Sequence, residues 1–199
     1  LQRMKADALT VDYTPRLGDD DHTGRRFALA ATAVAPVSWD AGLTFHVWRV
    51  EEAALKSELG ADLYAGVSAG VGPDGPRVLN LQSRGVDDAK LGAICRALSA
   101  RPAARLHELL LGGNNISDAG LVELARALDA GGAPALRDIE LWGNEVGDVG
   151  AAALAAALAR GRALADGGRL CMAMNPRLGA SGRAAVEAAC AARHIDVFL

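Results

Sequence analysis

The side chains that could do chemistry in this sequence are few and scattered. The histidines and cysteines are His22, His46, His107, His194, Cys95, Cys171 and Cys190. The three thiols are odd in number, far apart and without C-x-x-C spacing, so neither a disulfide framework nor a zinc site is indicated. No nucleophile elbow, phosphate loop or zinc-protease motif occurs. We therefore expect buried thiols in a reducing intracellular compartment, cytoplasm or organelle (chloroplast or mitochondrion), and no enzymatic activity, metal or cofactor.

Two local motifs favour ordinary loops over ligand sites. The run DDDH at residues 19–22 could bind a cation, but nothing near it supplies a fixed geometry, so a solvated loop is favoured. The run GVGPDG at residues 70–75 has the glycine spacing of a dinucleotide loop, which needs a strand before it and a helix after it. Because Pro73 and Pro76 oppose a helix there, we reject that interpretation.

The composition indicates a folded chain that does not bind nucleic acid. Hydrophobic residues make up 51% of the 199 residues but aromatic ones only 4%, and much of the apolar content is alanine, which suits close helix packing. The formal net charge of -3 leaves no basic stripe for nucleic acid and no polybasic membrane anchor. Since no run of 18 apolar residues occurs, no transmembrane segment is expected. No small-molecule substrate is expected either.

The beginning of the chain carries no repeat. Residues 1–25 are polar and broken, which predicts loop or extended structure. Residues 25–39 combine two arginines, a short apolar run and an A-x-A pattern. This segment resembles an export or thylakoid-transfer signal, but the run is short and a proline follows the A-x-A pattern. A buried strand or short helix is therefore the favoured alternative.

A change of composition near residue 76 predicts the main boundary. Residues 43–50 favour a strand and residues 51–59 favour a helix that a glycine ends. Residues 65–76 are rich in glycine and proline and predict a hinge. The sequence therefore divides into an N-terminal extension or capping segment at 1–75 and a domain at 76–199.

Within that domain the sequence repeats at an interval of 30 residues. The clearest copy is Leu106, Leu109, Leu111, Asn114, Ile116, Gly120, Leu124 and Leu128. Adding 30 gives the same residue types: Leu136, Ile139, Leu141, Asn144, Val146, Gly150, Leu154 and Leu158. Subtracting 30 keeps the apolar positions but puts Arg84 and Lys90 at the asparagine and glycine positions. A fourth copy, slightly shifted, includes Asn175, and residues 194–199 predict a closing strand.

This pattern resembles the leucine-rich repeat family, L-x-x-L-x-L-x-x-N-x-L, and its long helical half resembles the ribonuclease-inhibitor subclass. The resemblance implies an α/β fold, a short solenoid of about four repeats with one strand and one helix each. The asparagines at the turns (Asn114, Asn144 and Asn175) can satisfy backbone groups of their own turn and of the next unit. Because Arg84 cannot do so, the first copy is expected to be a divergent capping unit.

In this fold the residues that alternate with the core leucines line a concave face. Read across the copies, the columns are Val78, Glu108, Asp138, Arg169; then Asn80, Leu110, Glu140, Cys171; then Gln82, Gly112, Trp142, Ala173. We call this face the strip and predict that it binds protein through Glu108, Leu110, Asp138, Glu140 and Trp142. An exposed tryptophan beside charge is typical of an interface hot spot. Alternatively, the tryptophan packs on its neighbours and the carboxylates are only solvated.

Two functions fit these patterns. The favoured one is a non-catalytic protein–protein interaction module, an accessory or scaffold subunit whose partner is another protein or a multi-subunit complex. The alternative is a regulator that inhibits or activates a partner enzyme. Some proteins of the same repeat subclass activate small GTPases, and Arg84 is the candidate finger here, although those proteins carry many more repeats. The partner could also lie on the helical side or on the N-terminal segment.

Overall fold

The chain contains two compact units, Leu1–Thr44 and Phe45–Leu199. The computed structural model describes residues 9–12, 26–29, 52–72 and 74–199. In the first unit, β1 (Leu9–Asp12) pairs with β2 (Arg26–Leu29) in an antiparallel ladder. The acidic run at 19–22 and the strand predicted at 43–50 lie outside the described residues, as does most of the segment that resembles a targeting signal.

The second unit alternates helices and strands along the chain. Its elements are α1 (52–59), α2 (Ala61–Gly70), β3 (Val78–Asn80), α3 (Asp88–Ala100), β4 (Glu108–Leu110), α4 (Asp118–Asp129), β5 (Asp138–Glu140), α5 (Asp148–Ala159), β6 (Arg169–Cys171), α6 (Ala180–Ala191) and β7 (Asp196–Phe198). The strands form one open parallel sheet in the order β3-β4-β5-β6-β7. The α/β solenoid fold is thus confirmed, with the predicted closing strand as the fifth strand of the sheet.

Each short strand turns one side chain into the core and its two neighbours toward the open face. The central residues of the first four strands of the sheet are buried: Leu79, Leu109, Ile139 and Leu170. Leucines four residues apart on the helices, such as Leu124 and Leu128, pack against them. Helices α3 to α6 pack in sequence, and three buried alanines of α5 allow the close approach that bulkier side chains would prevent.

The helix α2 corrects the hinge predicted at 65–76. Residues 65–70 are helical because this part of α2 packs against the first strand of the sheet. Val67, on the packed side, is fully buried. A Cβ at Gly70 would be 2.8 Å from Cδ1 of Leu79, so glycine serves this close approach. Packing thus outweighs local propensity. The helix predicted at 51–59 is confirmed over 52–59.

The compact unit that contains the repeats is Phe45–Leu199, so it includes the two helices that precede residue 76. Leu55, Leu59 and Leu63 of the first two helices are buried in the same hydrophobic core as the repeats. This apolar face has the helical spacing of four residues and covers the end of the solenoid next to β3. Residue 76 therefore marks where the strands of the repeats start, while the core itself starts in α1.

Candidate functional site

The parallel register brings the strip residues together in columns. The first column is Val78, Glu108, Asp138, Arg169 and Asp196; the second is Asn80, Leu110, Glu140, Cys171 and Phe198. The fifth strand, β7, adds Asp196 to the first column and Phe198 to the second, and the columns read from the sequence did not include these two residues. Glu108, Leu110, Asp138 and Glu140 are therefore direct neighbours across β4 and β5, and all are half-buried. Trp142 follows β5, and its carbonyl accepts from N–H of Gly113 at 2.8 Å.

Glu140 has polar contacts with two other side chains of the strip. Its Oε2 accepts a hydrogen bond from Nε2 of Gln82 at 2.6 Å, across the intervening strand β4. Its Oε1 lies 3.7 Å from Nη2 of Arg169, which is also 3.5 Å from Oδ2 of Asp138. These two ion pairs are long and half-exposed, so they hold the side chains only weakly. Arg169 offsets only part of the charge of the strip, which also includes the Glu108 carboxylate.

The indole of Trp142 lies over two glycines of the preceding repeat. A Cβ at Gly112 would overlap Cε2 and Nε1 of the ring, and a Cβ at Gly113 would lie 3.5 Å from Cη2. The side chain is half-buried, so it both packs on its neighbours and keeps part of the ring accessible. The glycines thus fix the position of the ring while part of the residue stays accessible.

The turn asparagines form a buried ladder between repeats. Nδ2 of Asn144 donates to the carbonyls of Leu141 in its own turn and Leu111 in the preceding one, and its Oδ1 accepts from N–H of Ile116 at 3.0 Å. Asn114 and Asn175 make the corresponding bonds in their own repeats. All three are buried. They are structural, and they fix the turns from which the strip side chains leave the sheet.

A second ladder, of aspartates, was missed by the sequence analysis. Oδ1 of Asp118, in the first turn of α4, accepts from N–H of Gly147 at 2.7 Å and of Gly150 at 2.8 Å at the start of α5. Asp88 and Asp148 cap the next helices in the same way. The N-termini of α4, α5 and α6 are thus each capped by an aspartate of the preceding repeat. The signal was present as the 30-residue spacing of the three aspartates, and the glycine beside each carboxylate gives it room.

The expectation of buried thiols is right for two of the cysteines and wrong for the third. Cys95 and Cys190 are buried in the core, and burial raises the pKa of Cys95 to about 12 and that of Cys190 to about 11. Both therefore stay protonated at neutral pH, which removes the nucleophilic thiolate form. Cys171 is half-buried in the second column of the strip, because open-face positions of the strand alternate with core positions.

Arg84, the candidate finger, lies in the turn after β3. Its backbone N–H donates to Oδ1 of Asn114 at 3.2 Å, and the residue is exposed. With Ser83 and the turn between α1 and α2, it lines an open cleft of about 380 Å³. Asp62 also lines this cleft. The described residues contain no group of three or more histidine, cysteine, aspartate or glutamate side chains that could hold a metal ion.

Comparison with known proteins agrees with this geometry. Residues 106–125 and 134–155 match the family described as "Leucine Rich repeat". Among solved structures, the chain is similar to "Leiomodin-1 Actin-Binding Site 2 (ABS2)", with a TM-score of 0.52 and 12% sequence identity over 77% of this chain and 80% of that chain. No curated protein sequence matches the chain.

The fold and these comparisons together define an open solenoid of strand–helix units, two of which match the leucine-rich repeat family. The family matches cover the second and third strand–helix units, the two whose residues agree at every repeat position. No helix among the described residues is long and apolar enough to cross a bilayer.

Proposed function

We propose that this chain is a non-catalytic protein-binding module, an accessory or scaffold subunit of a larger assembly, and that the strip is its binding surface. The observation that carries the proposal is Trp142, whose ring lies over Gly112 and Gly113 while part of it stays accessible. A large side chain that is already fixed loses little rotamer freedom when a partner covers it. Tryptophans of this kind are enriched among residues that dominate interface energies.

The charges around Trp142 favour a protein partner over nucleic acid. Within the two strand columns, the charged side chains are Glu108, Asp138, Glu140, Asp196 and Arg169. The carboxylates outnumber the single guanidinium, which opposes a phosphate backbone. The neighbouring structure is titled as an actin-binding site, which supports protein binding as a use of this fold. At 12% identity, actin itself is not carried over to this chain.

We further propose a repeat subclass, an alternative function and a cellular compartment for this chain. The helices of 12 or 13 residues in each unit support the ribonuclease-inhibitor-like subclass. The second candidate function, a regulator of a partner enzyme, is favoured by the exposed Arg84 at the cleft beside α2. Three free cysteines support a reducing compartment.

Affinity capture from the native source tests the proposed surface. We would compare the wild-type chain with Trp142→Ala and Glu140→Lys, and use as controls Val149→Ala on α5 and Glu187→Lys on α6, which are exposed on the helical side. We expect a stoichiometric partner that both strip variants lose and both controls keep, with unchanged circular dichroism. Equal recovery by all five chains would contradict the strip as the interface. A changed turnover of a captured enzyme would favour the regulator.

A further inference from the structure

Met174 has an unusual backbone and an unusual exposure for its residue type. It lies in the turn after β6 with φ of 58°, the left-handed region. The same turn position holds Gly113 with φ of 67° and Gly143 with φ of 65° in the two preceding repeats, and the small residue Ser83 with φ of 53° in the first. Glycine adopts this conformation without strain, whereas methionine does not. The side chain of Met174 is 77% exposed, the highest value among the large hydrophobic residues that the structure describes as exposed.

Neither folding nor packing accounts for a methionine at this turn. The strain disfavours it relative to glycine, and the exposed side chain gains almost no burial in return. Strained and exposed residues of this kind point to a role outside the folded chain itself. A polarisable, unbranched side chain is well suited to contact a partner of irregular shape.

The position of Met174 relative to Trp142 suggests what that partner presents. Ala173 directly precedes Met174, and its carbonyl accepts from N–H of Gly143 at 3.0 Å, so the two turns lie side by side. Neighbouring strands are about 4.8 Å apart. Trp142 leans toward Gly112, away from this turn. Ala173, which follows Trp142 in the third column of the strip and directly precedes Met174, carries only a small side chain.

Of the strip carboxylates, that of Glu140 lies nearest to Ala173, and that of Glu108 lies farther along the strip. Glu140 precedes Trp142 by two residues on the same face, a separation of about 7 Å along a strand. Glu108 is the neighbour of Asp138 on the adjacent strand. No ion pair of Glu108 occurs among the described residues. A positive group next to an apolar one would therefore match the strip in both charge and spacing.

Building on the proposed function, we propose that Trp142 and Met174 together form an apolar clamp for a partner polypeptide. The clamp holds one apolar side chain of the partner above Ala173. A lysine or arginine next to that side chain reaches the carboxylate of Glu140, and Glu108 adds negative charge farther along the strip. The partner is thus a protein segment that carries an apolar residue beside a basic one, and Met174 determines this specificity together with the tryptophan.

Selection from a displayed library of random 12-residue peptides tests this inference with the full chain. We expect peptides enriched on the wild type to carry an apolar residue within two positions of a lysine or arginine. One enriched peptide is then synthesised and titrated against Met174→Gly, Glu140→Gln and Trp142→Ala. Val149→Ala, which removes a 68% exposed side chain from the helical side, is the matched control.

Met174→Gly is the decisive variant because its two readouts should move in opposite directions. We expect the melting temperature to rise, since the strain is removed, while the peptide affinity falls about tenfold. Glu140→Gln should lower the affinity and weaken its dependence on salt. An affinity unchanged in Met174→Gly, or enriched peptides without a basic residue, would overturn the inference.

The same titrations separate this inference from the proposed function. Peptides that need Trp142 but neither Met174 nor a basic residue would leave the strip as the binding surface and refute the clamp. Peptides that bind Trp142→Ala as tightly as the wild type would refute both. A library that yields no peptide sensitive to Trp142→Ala counts against both as well.

Discussion

The inside of the repeats and the strip follow opposite rules. Inside, the same residue type returns in successive units, as the asparagine and aspartate ladders show. On the strip, one column reads Asn80, Leu110, Glu140, Cys171 and Phe198, with no type repeated. Interior side chains must satisfy backbone groups of the adjacent unit, whereas open-face side chains meet no such demand. Substitutions inside should therefore reduce stability, and those on the strip should mainly change binding.

The largest expected effect is on the asparagine ladder. Asn144→Ala leaves the N–H of Ile116 and the carbonyls of Leu111 and Leu141 without their buried partner. We expect a loss of about 3 kcal/mol in the free energy of unfolding, measured by urea titration with circular dichroism. Asn115→Ala, at an exposed neighbouring position, is the control and should change stability by less than about 0.5 kcal/mol. Similar values for both variants would mean that the ladder contributes nothing.

The aspartate ladder should contribute less, because its carboxylates are only partly buried. Asp118→Ala removes the acceptor for the N–H groups of Gly147 and Gly150, and α5 has no capping side chain of its own. We expect a loss of about 1.5 kcal/mol in the free energy of unfolding. Asp129→Ala is the matched control: it removes a carboxylate from the other end of α4 and breaks only a surface ion pair with Arg160. A larger loss in that control would contradict capping between repeats.

A smaller effect on stability, and a larger one on binding, is expected at Gly112, where the interior of the repeats meets the strip. Gly112→Ala places a methyl group where the Trp142 ring now lies, so the ring must move. We expect a loss of about 1 kcal/mol and a shifted indole resonance in the NMR spectrum. Gly66→Ala in α2, where a Cβ meets nothing within 4 Å, should leave the indole resonance unchanged. An unmoved resonance in Gly112→Ala would show that the glycines do not position Trp142.

The 30-residue spacing was enough to predict the sheet and the helices α3 to α6, because each depends on a residue type that recurs at one interval. The helix α2 was missed because Gly66 and Gly70 oppose a helix locally, and the close approach to Leu79 that explains Gly70 has no sign in the sequence. The aspartate ladder was missed for a related reason. An aspartate in the first turn of a helix is favoured by the helix dipole alone, so the 30-residue spacing of the three aspartates does not by itself indicate a bond to the next repeat.

The strip could be predicted as a set of columns but not as a set of contacts. Alternation along a strand determines which residues face outward, so Glu108, Leu110, Asp138 and Glu140 follow from the pattern. The bond from Gln82 to Glu140 spans two strand spacings, and the sequence holds no sign of it. Contacts of this kind depend on rotamers, and rotamers depend on neighbours that differ from repeat to repeat.

The smallest expected effect on stability belongs to the strip itself. Glu140→Gln keeps a side-chain oxygen that can accept from Gln82 and removes only the charge that faces Arg169 at 3.7 Å. Because that ion pair is long and half-exposed, we expect the free energy of unfolding to change by less than about 0.5 kcal/mol in urea titration. Asn144→Ala provides the contrast inside the repeats. A loss above about 1.5 kcal/mol in Glu140→Gln would make the Gln82–Glu140–Arg169 network structural, and the separation between a repeating interior and a variable binding face would then fail at this residue.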